Sequence, residues 1–203
     1  MIDLASLDVE DGLRDALRSL EGEIEFTGFS DKGANGYVVF GTRTLLDRRV
    51  AIKFYPWADD RAHKEPKRLA EITSDHILEV ATARVIDDDW AMIETPYCPR
   101  GDFERLVERT TLSLHTAILH TAEVLTGMSA LHGASLVHRD LKPANVFLDD
   151  DGRARIGDFG SVRAIPSDQD DVSGSGHSAL YRPPESFELG RYGRAGDLYQ
   201  CGI

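Results

Sequence analysis

The sequence has few of the features that mark secreted or membrane proteins. Its two cysteines, Cys98 and Cys201, lie far apart and match no disulfide or metal-ligand spacing. No run of about 18 apolar residues occurs, so no membrane segment is predicted in this chain. The N-terminal stretch is acidic and lacks the basic and apolar regions of a secretory signal. We therefore expect a cytoplasmic protein.

Basic residues are also scarce. The chain has 23 Lys and Arg against 35 Asp and Glu, which gives a formal net charge of −12. This charge repels nucleic acid and anionic lipid, so neither is an expected partner. It would favour basic protein substrates, although most acidic surfaces are simply solvated.

The first half of the chain has mostly strand-like patterns. An amphipathic helix is predicted over residues 9–20, and its apolar face is formed by Leu13, Ala16, Leu17 and Leu20. A polar helix is predicted over 63–72. Strands are predicted around it, two within 24–41 and the others at 49–55, 77–86 and 90–95.

The pattern changes at 95–102, where the proline- and glycine-containing stretch TPYCPRGD predicts a linker. Helices are predicted beyond it at 103–108 and 113–132. This order predicts an α+β chain with an N-terminal helical extension (1–23), a mostly β lobe and hinge (24–98) and a mostly α lobe (99–203).

The strongest chemical signal is HRDLKPAN, which runs from His138 to Asn145. The carboxylate of Asp140 can accept the proton of an attacking hydroxyl, and Lys142 can offset charge that develops on a transferring phosphoryl group. The amide oxygen of Asn145 suits a hard cation such as Mg²⁺. Eight specified positions make a chance loop a poor explanation of this run.

A second short motif, DFG, begins at Asp158, thirteen residues after Asn145. The triplet alone is weak, because it occurs in ordinary turns. The triplet becomes a strong signal because it follows HRDLKPAN. A predicted hairpin with an Asp151-Gly152 turn lies between the two motifs. That spacing predicts that Asn145 and Asp158 share one metal site.

Two upstream features suit phosphate binding. VAIK places Lys53 on a predicted buried strand, where an unpaired ammonium would be costly, so phosphates and a helix carboxylate are its expected partners. We assign that carboxylate to Glu65, with Glu71 as the alternative. Gly33 and Gly36 form an incomplete glycine-rich loop whose first glycine is replaced by Asp31, and they would let backbone N–H groups approach phosphate.

Taken in this order, the four motifs resemble those of the eukaryotic-type Ser/Thr protein kinase catalytic domain. The resemblance covers roughly 24–203 and implies a bilobal fold with a five-stranded antiparallel small lobe. It also implies a reaction that uses ATP and Mg²⁺ to phosphorylate Ser or Thr hydroxyls of a protein substrate. Asp140, Lys142, Lys53 and Glu65 would be catalytic, and Asn145 and Asp158 would hold the metal.

The resemblance extends to the nucleotide site. The hinge would be TPYCPRGD, with Thr95 as the gatekeeper residue and Ile93 as the alternative. Tyr97 and Cys98 would offer backbone groups to adenine, and Asp102 would bind the ribose. The adenine ring would lie against apolar residues of both lobes, namely Val38, Ala51 and Phe147.

The resemblance also implies an activation segment from Asp158 to Glu185. Ser173, Ser175 and Ser178 are its candidate phosphorylation sites, and Ser178 could instead hydrogen-bond Asp140 and Lys142. Asp197 would anchor the backbone of the HRD loop.

The large lobe of this family continues for several helices beyond the start of its central helix, which is where this sequence ends. One alternative is therefore an inactive or partner-completed fragment that acts as a binding or regulatory module, its partner docking the N-terminal helix or supplying the missing helices. A small-molecule kinase is the third reading, but those enzymes usually lack the Lys142-Pro143 pair.

Overall fold

The computed structural model describes residues 2, 4, 7–33, 36–56, 64–166, 168–173 and 178–203, with the backbone alone for 31–33 and 64–66. The chain divides into two compact units. The first comprises Met1–Lys67 and Glu79–Tyr97, and the second comprises Arg68–Leu78 and Cys98–Ile203. The α+β class predicted from the sequence is confirmed.

The first unit is built on a five-stranded antiparallel sheet with the strand order β1-β2-β3-β5-β4. Its elements are helix α1 (Asp11–Arg18) and strands β1 (Ile24–Gly33), β2 (Gly36–Arg43), β3 (Arg48–Pro56), β4 (Thr82–Val85) and β5 (Trp90–Pro96). Helix α2 (Lys64–Ala70) lies where the chain passes from the first unit to the second.

Helix α1 and one face of this sheet form the core of the first unit. Leu13 and Leu17 of the helix are fully buried, and they belong to the same apolar cluster as Val39, Ile52 and Phe54 of the sheet. Alternate residues of β2 and β3 are buried, as expected for strands with one face against a core. The amphipathic helix predicted over 9–20 is thus confirmed, with slightly shorter bounds.

A buried ion pair lies beside this core. Glu94 is 2% exposed, and its two carboxylate oxygens accept hydrogen bonds from Arg43 at 2.9 and 2.6 Å. Burial disfavours the charge on Arg43, but its hydrogen bonds with Glu94 outweigh that cost and raise the pKa of the guanidinium. The bidentate pair joins β2 to β5, which are not neighbours in the sheet.

In its described residues, the second unit has helices and three short two-stranded sheets. Its helices are α3 (Phe103–Arg109), α4 (Leu114–Gly133), α5 (Pro184–Leu189) and α6 (Arg194–Cys201). Its paired strands are β6 (Leu136–Val137) with β9 (Arg163–Ala164), β7 (Val146–Leu148) with β8 (Ala154–Ile156), and β10 (Asp171–Ser173) with β11 (Arg191–Gly193). Within the described ranges, no helix is long and apolar enough to cross a membrane.

The strand predicted over 77–86 is wrong in its first half. Only Thr82–Val85 form β4. Ile77 instead bridges Ile156 of β8, and the Leu78 N–H donates to the Ile156 carbonyl at 2.8 Å. This segment passes so close to α4 that a Cβ on Gly127 would collide with the carbonyl oxygen of His76. The apolar residues of 77–78 therefore pack into the second unit, not into the sheet.

Candidate active site

Lys53 lies on the face of the first unit's sheet that is opposite the α1 core. It is paired with Val38 on β2 and with Ile93 on β5, and cross-strand partners project from the same face of a sheet. Ala51 and Thr95 form the next pair on that face. These positions are only partly buried apart from Ile93, which is 9% exposed. The sequence-predicted residues Val38, Ala51, Lys53 and Thr95 are thus brought together.

Gly33 at the end of β1 pairs with Gly36 at the start of β2. Gly36 has φ of +122°, and a Cβ there would collide with the carbonyl oxygen of Phe54. Only glycine fits this backbone and this close approach. The side chains of Asp31 and Glu65 lie outside the described part of the structure, so the predicted Lys53–Glu65 pair stays a prediction.

Two backbone groups of the predicted hinge segment already form hydrogen bonds with other backbone groups. The Tyr97 N–H donates to the Arg49 carbonyl at 3.2 Å, and the Cys98 carbonyl accepts from Gly101 at 3.2 Å. Burial raises the pKa of the Cys98 thiol to about 11, so it is a neutral apolar group at physiological pH. Asp102 is the N-cap of α3, where its carboxylate accepts from the Arg105 N–H at 2.9 Å.

In the second unit, Asp140 is surrounded by groups that stabilise its negative charge. Lys142 Nζ lies 2.9 Å from Asp140 Oδ2, and the Ser178 N–H donates to Asp140 Oδ1 at 3.0 Å. Lys142 also donates to Ser178 Oγ at 2.6 Å. The predicted hydrogen bonds of Ser178 with Asp140 and Lys142 are therefore confirmed. Asp140, Lys142 and Ser178 each contact the other two, and we call these three residues the triangle.

Asn145 lies directly behind this carboxylate. Its amide nitrogen donates to the Asp140 carbonyl at 2.7 Å and approaches Asp140 Oδ2 at 3.3 Å. Its own backbone carbonyl accepts from the Gly157 N–H at 2.9 Å, which places Asn145 beside the residue that precedes Asp158. Asp158 itself adopts the left-handed backbone conformation, with φ of 53°. The backbone pairing therefore brings the two predicted metal ligands to one place.

The carboxylate of Asp197 on α6 binds the backbone of the loop that carries Asp140. This carboxylate is fully buried and accepts from the backbone N–H groups of His138 and Arg139, both at 2.9 Å. The predicted anchoring role of Asp197 is confirmed. His132 Nε2 lies 2.8 Å from Asp197 Oδ2, and the hydroxyl of Tyr192 lies 2.9 Å from Asp197 Oδ1.

His138 connects the loop to the DFG segment. Its Nε2 lies 2.9 Å from the Gly157 carbonyl, and the Asp140 N–H donates to its Nδ1 at 3.4 Å. A carbonyl accepts and an N–H donates, so these contacts fit an imidazole that donates from Nε2 and accepts at Nδ1. One imidazole thereby fixes the backbone beside both Asp140 and Asp158.

Comparison with known proteins agrees with this geometry. The family model of the protein kinase domain matches residues 31–203. This chain belongs to the protein kinase family. The interferon-induced, double-stranded RNA-activated protein kinase of Mus musculus is 28% identical over 199 residues, which cover 88% of this chain and 39% of that protein. The serine/threonine-protein kinase PknL of Mycobacterium tuberculosis is 30% identical over 208 residues, 96% of this chain and 51% of PknL.

A third relative, the mitochondrial serine/threonine-protein kinase ppk24 of Schizosaccharomyces pombe, is 34% identical over 113 residues, which cover 53% of this chain and 24% of that protein. The chain spans about half the length or less of these relatives. The family uses ATP and phosphorylates proteins, which is the class of reaction that the sequence motifs predict.

The kinase keeps Asp140 ionised in spite of its burial. Burial alone would raise the pKa of this carboxyl, but the hydrogen bonds from Lys142 and Ser178 outweigh it, and the pKa lies below its usual value of 3.8. An ionised carboxylate can orient a hydroxyl and accept its proton. A carboxyl protonated at neutral pH could not accept that proton.

The kinase also has oxygen donors that fit a magnesium ion. The amide nitrogen of Asn145 is directed to Asp140, which leaves its amide oxygen as the atom for a cation. Mg²⁺ usually takes one or two protein oxygens and completes its octahedron with water and phosphate. Within the described residues, no three His, Cys, Asp or Glu side chains form a cluster that could hold a metal ion, so a self-contained protein cage is not present there.

The predicted activation segment contains one strand that the sequence did not indicate. Strand β10 pairs with β11, with Ser173 opposite Arg191 and Asp171 opposite Gly193. Arg191 also lies 3.7 Å from Asp171. Three residues of mixed character at each strand gave no periodic signal, so this pairing is visible only in the structure. Ser175 lies outside the described residues.

Proposed function

We propose that this kinase transfers the γ-phosphoryl group of ATP to a serine or threonine hydroxyl of a protein substrate. The observation that carries the proposal is the triangle of Asp140, Lys142 and Ser178, which presents an ionised carboxylate beside a lysine ammonium. The names of the relatives support the serine/threonine class. So does Lys142, since the resemblance places a lysine at this position in that class.

In the proposed reaction, the substrate oxygen forms a bond to the γ-phosphorus and the bond from that phosphorus to the β,γ-bridging oxygen breaks. ADP leaves, and the hydroxyl proton passes to Asp140. Lys142 offsets charge on the transferring group. Asn145 and Asp158 would hold Mg²⁺, which neutralises phosphate charge when bound. Lys53 would align the α- and β-phosphates, with Glu65 or Glu71 as its carboxylate partner.

We assign the nucleotide contacts by the same resemblance. Gly33 and Gly36 would approach the phosphates, while Val38, Ala51 and Phe147 would contact adenine. The backbone of the hinge residues Tyr97 and Cys98 would bind the adenine edge, and Asp102 would bind the ribose. Because the Tyr97 N–H already donates to Arg49, the carbonyl of Tyr97 and the backbone of Cys98 are the groups we assign to adenine.

The remaining assignments concern regulation and setting. We propose that Ser173 or Ser175 is phosphorylated, while Ser178 keeps its structural contacts with Asp140 and Lys142. The division into an extension (1–23), a small lobe with hinge (24–98) and a large lobe (99–203) is proposed on the same resemblance, as is a cytoplasmic location.

The test of this function is Asp140→Asn, a change that keeps the shape of the side chain and removes its basicity. The measurement is transfer of labelled phosphate from ATP to a mixed Ser/Thr peptide library. We expect kcat to fall by at least about 100-fold, because general-base contributions are of this order. ATP affinity is expected to stay near normal, since Asp140 is assigned to the substrate hydroxyl and not to the nucleotide.

The matched control is Asp151→Asn, which makes the same chemical change at an exposed turn of the β7–β8 hairpin. It should leave phosphate transfer unchanged. Near-normal transfer by Asp140→Asn would contradict the assignment of the base. A folded wild-type protein of full natural length that binds ATP and phosphorylates nothing would instead favour the binding-module alternative.

A further inference from the structure

Gln200 is a buried amide that none of the sequence motifs includes. It lies on α6, three residues after Asp197, and it is 4% exposed. Residues three apart on a helix lie on the same face, so Gln200 and Asp197 project toward the same loop. A buried glutamine must satisfy both its donors and its acceptor.

The contacts of Gln200 use both ends of the amide. Its Oε1 accepts from the Leu141 N–H at 2.9 Å and lies 2.7 Å from the Tyr192 hydroxyl, whose single proton is shared between Gln200 and Asp197. Its Nε2 donates to the Tyr181 carbonyl at 3.1 Å and approaches the Arg139 carbonyl at 3.5 Å. The orientation is unambiguous, because an N–H must meet the oxygen end and carbonyls must meet the nitrogen end.

Two of these contacts lie on either side of Asp140. The Arg139 carbonyl belongs to the peptide group that precedes Asp140, and the Leu141 N–H belongs to the peptide group that follows it. Gln200 therefore contacts both peptide groups that flank the proposed base, and its stronger hydrogen bond is with the one that follows. Asp197 binds the residues that precede Asp140 in the loop, at the N–H groups of His138 and Arg139.

The hydrogen bond from Gln200 Nε2 to the Tyr181 carbonyl reaches a different part of the chain. Tyr181 follows Ser178 by three residues, and its own N–H donates to the Ser178 carbonyl at 3.0 Å. Ser178 in turn binds both the Asp140 carboxylate and Lys142. One side chain thus connects the backbone around Asp140 with the turn that contacts the Asp140 carboxylate.

We propose that Gln200 is a positioning residue that sets the orientation of Asp140 relative to Ser178 and Lys142. This inference rests on the proposed function, because it assigns Gln200 to the same phosphate-transfer step. Gln200 touches no reacting atom. It acts through Leu141, Arg139 and Tyr181, and its removal would leave Asp140 present but free to shift with its loop.

The main variant is Gln200→Met, which keeps the length of the side chain and removes every hydrogen bond. Gln200→Glu keeps the shape and loses the two donors, which would place a carboxylate against the Tyr181 and Arg139 carbonyls. Gln200→Ser leaves room for water and serves if the larger changes do not fold. Gln169→Met is the matched control, because Gln169 is the other glutamine of the chain and is exposed.

The measurements are kcat and the KM values for ATP and for a peptide substrate, made on the protein at its full natural length and well below its melting temperature. A shift of about 1 Å in a catalytic group can cost about 100-fold in rate, so we expect kcat of Gln200→Met to fall by about 10- to 100-fold. The KM for ATP should change by less than about 3-fold, since Gln200 is assigned no contact with bound ATP. Gln169→Met should match the wild type.

Hydrogen exchange at the Leu141 amide gives a readout that does not need activity. It should be slow in the wild type and faster in Gln200→Met, while the Asp197-bound amides of His138 and Arg139 stay protected. Unchanged kcat in a folded variant would overturn the positioning role, as would equal losses in kcat and in ATP binding. Failure of every Gln200 variant to fold would also overturn it, because Gln200 would then serve the fold and not the orientation of Asp140. An inactive wild-type protein would refute the proposed function instead, and the exchange result would still stand.

Discussion

At the scale of single residues, the charge on Asp140 depends on a balance between lost water and gained hydrogen bonds. Burial favours the neutral acid, whereas Lys142 and the Ser178 N–H favour the carboxylate. Lys142 contributes to both the charge and the geometry, because it also binds the Ser178 hydroxyl. Its removal should therefore change the titration of Asp140 as well as the rate.

We predict that Lys142→Met moves the acid limb of the pH–rate profile to higher pH. Lys142 lowers the pKa of Asp140, so removing it raises that pKa, and the base becomes protonated at a pH where the wild type is still ionised. We also expect kcat at neutral pH to fall by about 100-fold, as for the loss of one electrostatic donor. The measurement is kcat as a function of pH, compared between the two proteins. An acid limb at the wild-type position would show that Lys142 does not control the charge on Asp140.

Sequence reasoning found the residues of the site but not all of their partners. Asp140, Lys142 and Asn145 lie within one eight-residue motif, and the Asp197 and Ser178 contacts followed from the resemblance to kinases. Tyr192 and Gln200 were missed. Gln200 is 59 positions from Leu141, and a lone buried glutamine has no periodic or spacing signal before the chain is folded. The roles of the site residues in catalysis stay predictions.

At the scale of elements, helix α1, which lies in the proposed N-terminal extension (1–23), packs into the core of the first unit. Leu13, Ala16 and Leu17 are buried in the sheet core, and Gly12 lies beside the ring of Trp90. The 3.6-residue period predicted this face correctly, because a helix that buries one stripe must repeat its apolar residues at that spacing. The same reasoning could not predict where the 77–78 segment packs, since a short apolar run fits a strand or a buried loop equally well.

We predict that Leu17→Ala lowers the free energy of unfolding by about 2 to 5 kcal/mol, because it leaves a cavity at a fully buried position. Asp15→Ala on the same helix is the control, since Asp15 is exposed and its ion pair with Arg18 is a surface contact worth about 0 to 1 kcal/mol. Urea denaturation of both variants gives the comparison. Equal stability of Leu17→Ala and the wild type would show that α1 does not contribute to the core.

At the scale of the whole molecule, the chain has many carboxylates. Some of them accept hydrogen bonds in the folded state, so the free energy of unfolding depends on their ionisation. Glu123 of α4 is one of these. It accepts from the Ala154 N–H at 3.0 Å and lies 2.8 Å from His120 Nδ1, so it connects the long helix to the β7–β8 hairpin. Burial would raise the pKa of Glu123, but these hydrogen bonds outweigh it and hold the pKa below its usual 4.5.

A carboxyl with a lowered pKa stabilises the fold above its unfolded pKa and loses that contribution as pH falls through the folded value. Glu123, Asp140 and Asp149 are all shifted in this direction, so we expect the free energy of unfolding to decline below about pH 4.5. Glu123→Gln should cost about 1 to 3 kcal/mol at pH 7, because it removes a charged acceptor from a buried hydrogen-bond network. As pH falls through the lowered pKa of Glu123, the wild-type carboxyl becomes neutral as well, and the difference between the two proteins should shrink. Urea unfolding at a series of pH values measures this convergence. Parallel curves from pH 7 down to the onset of acid unfolding would mean that the charge of Glu123 adds nothing to the stability of the fold.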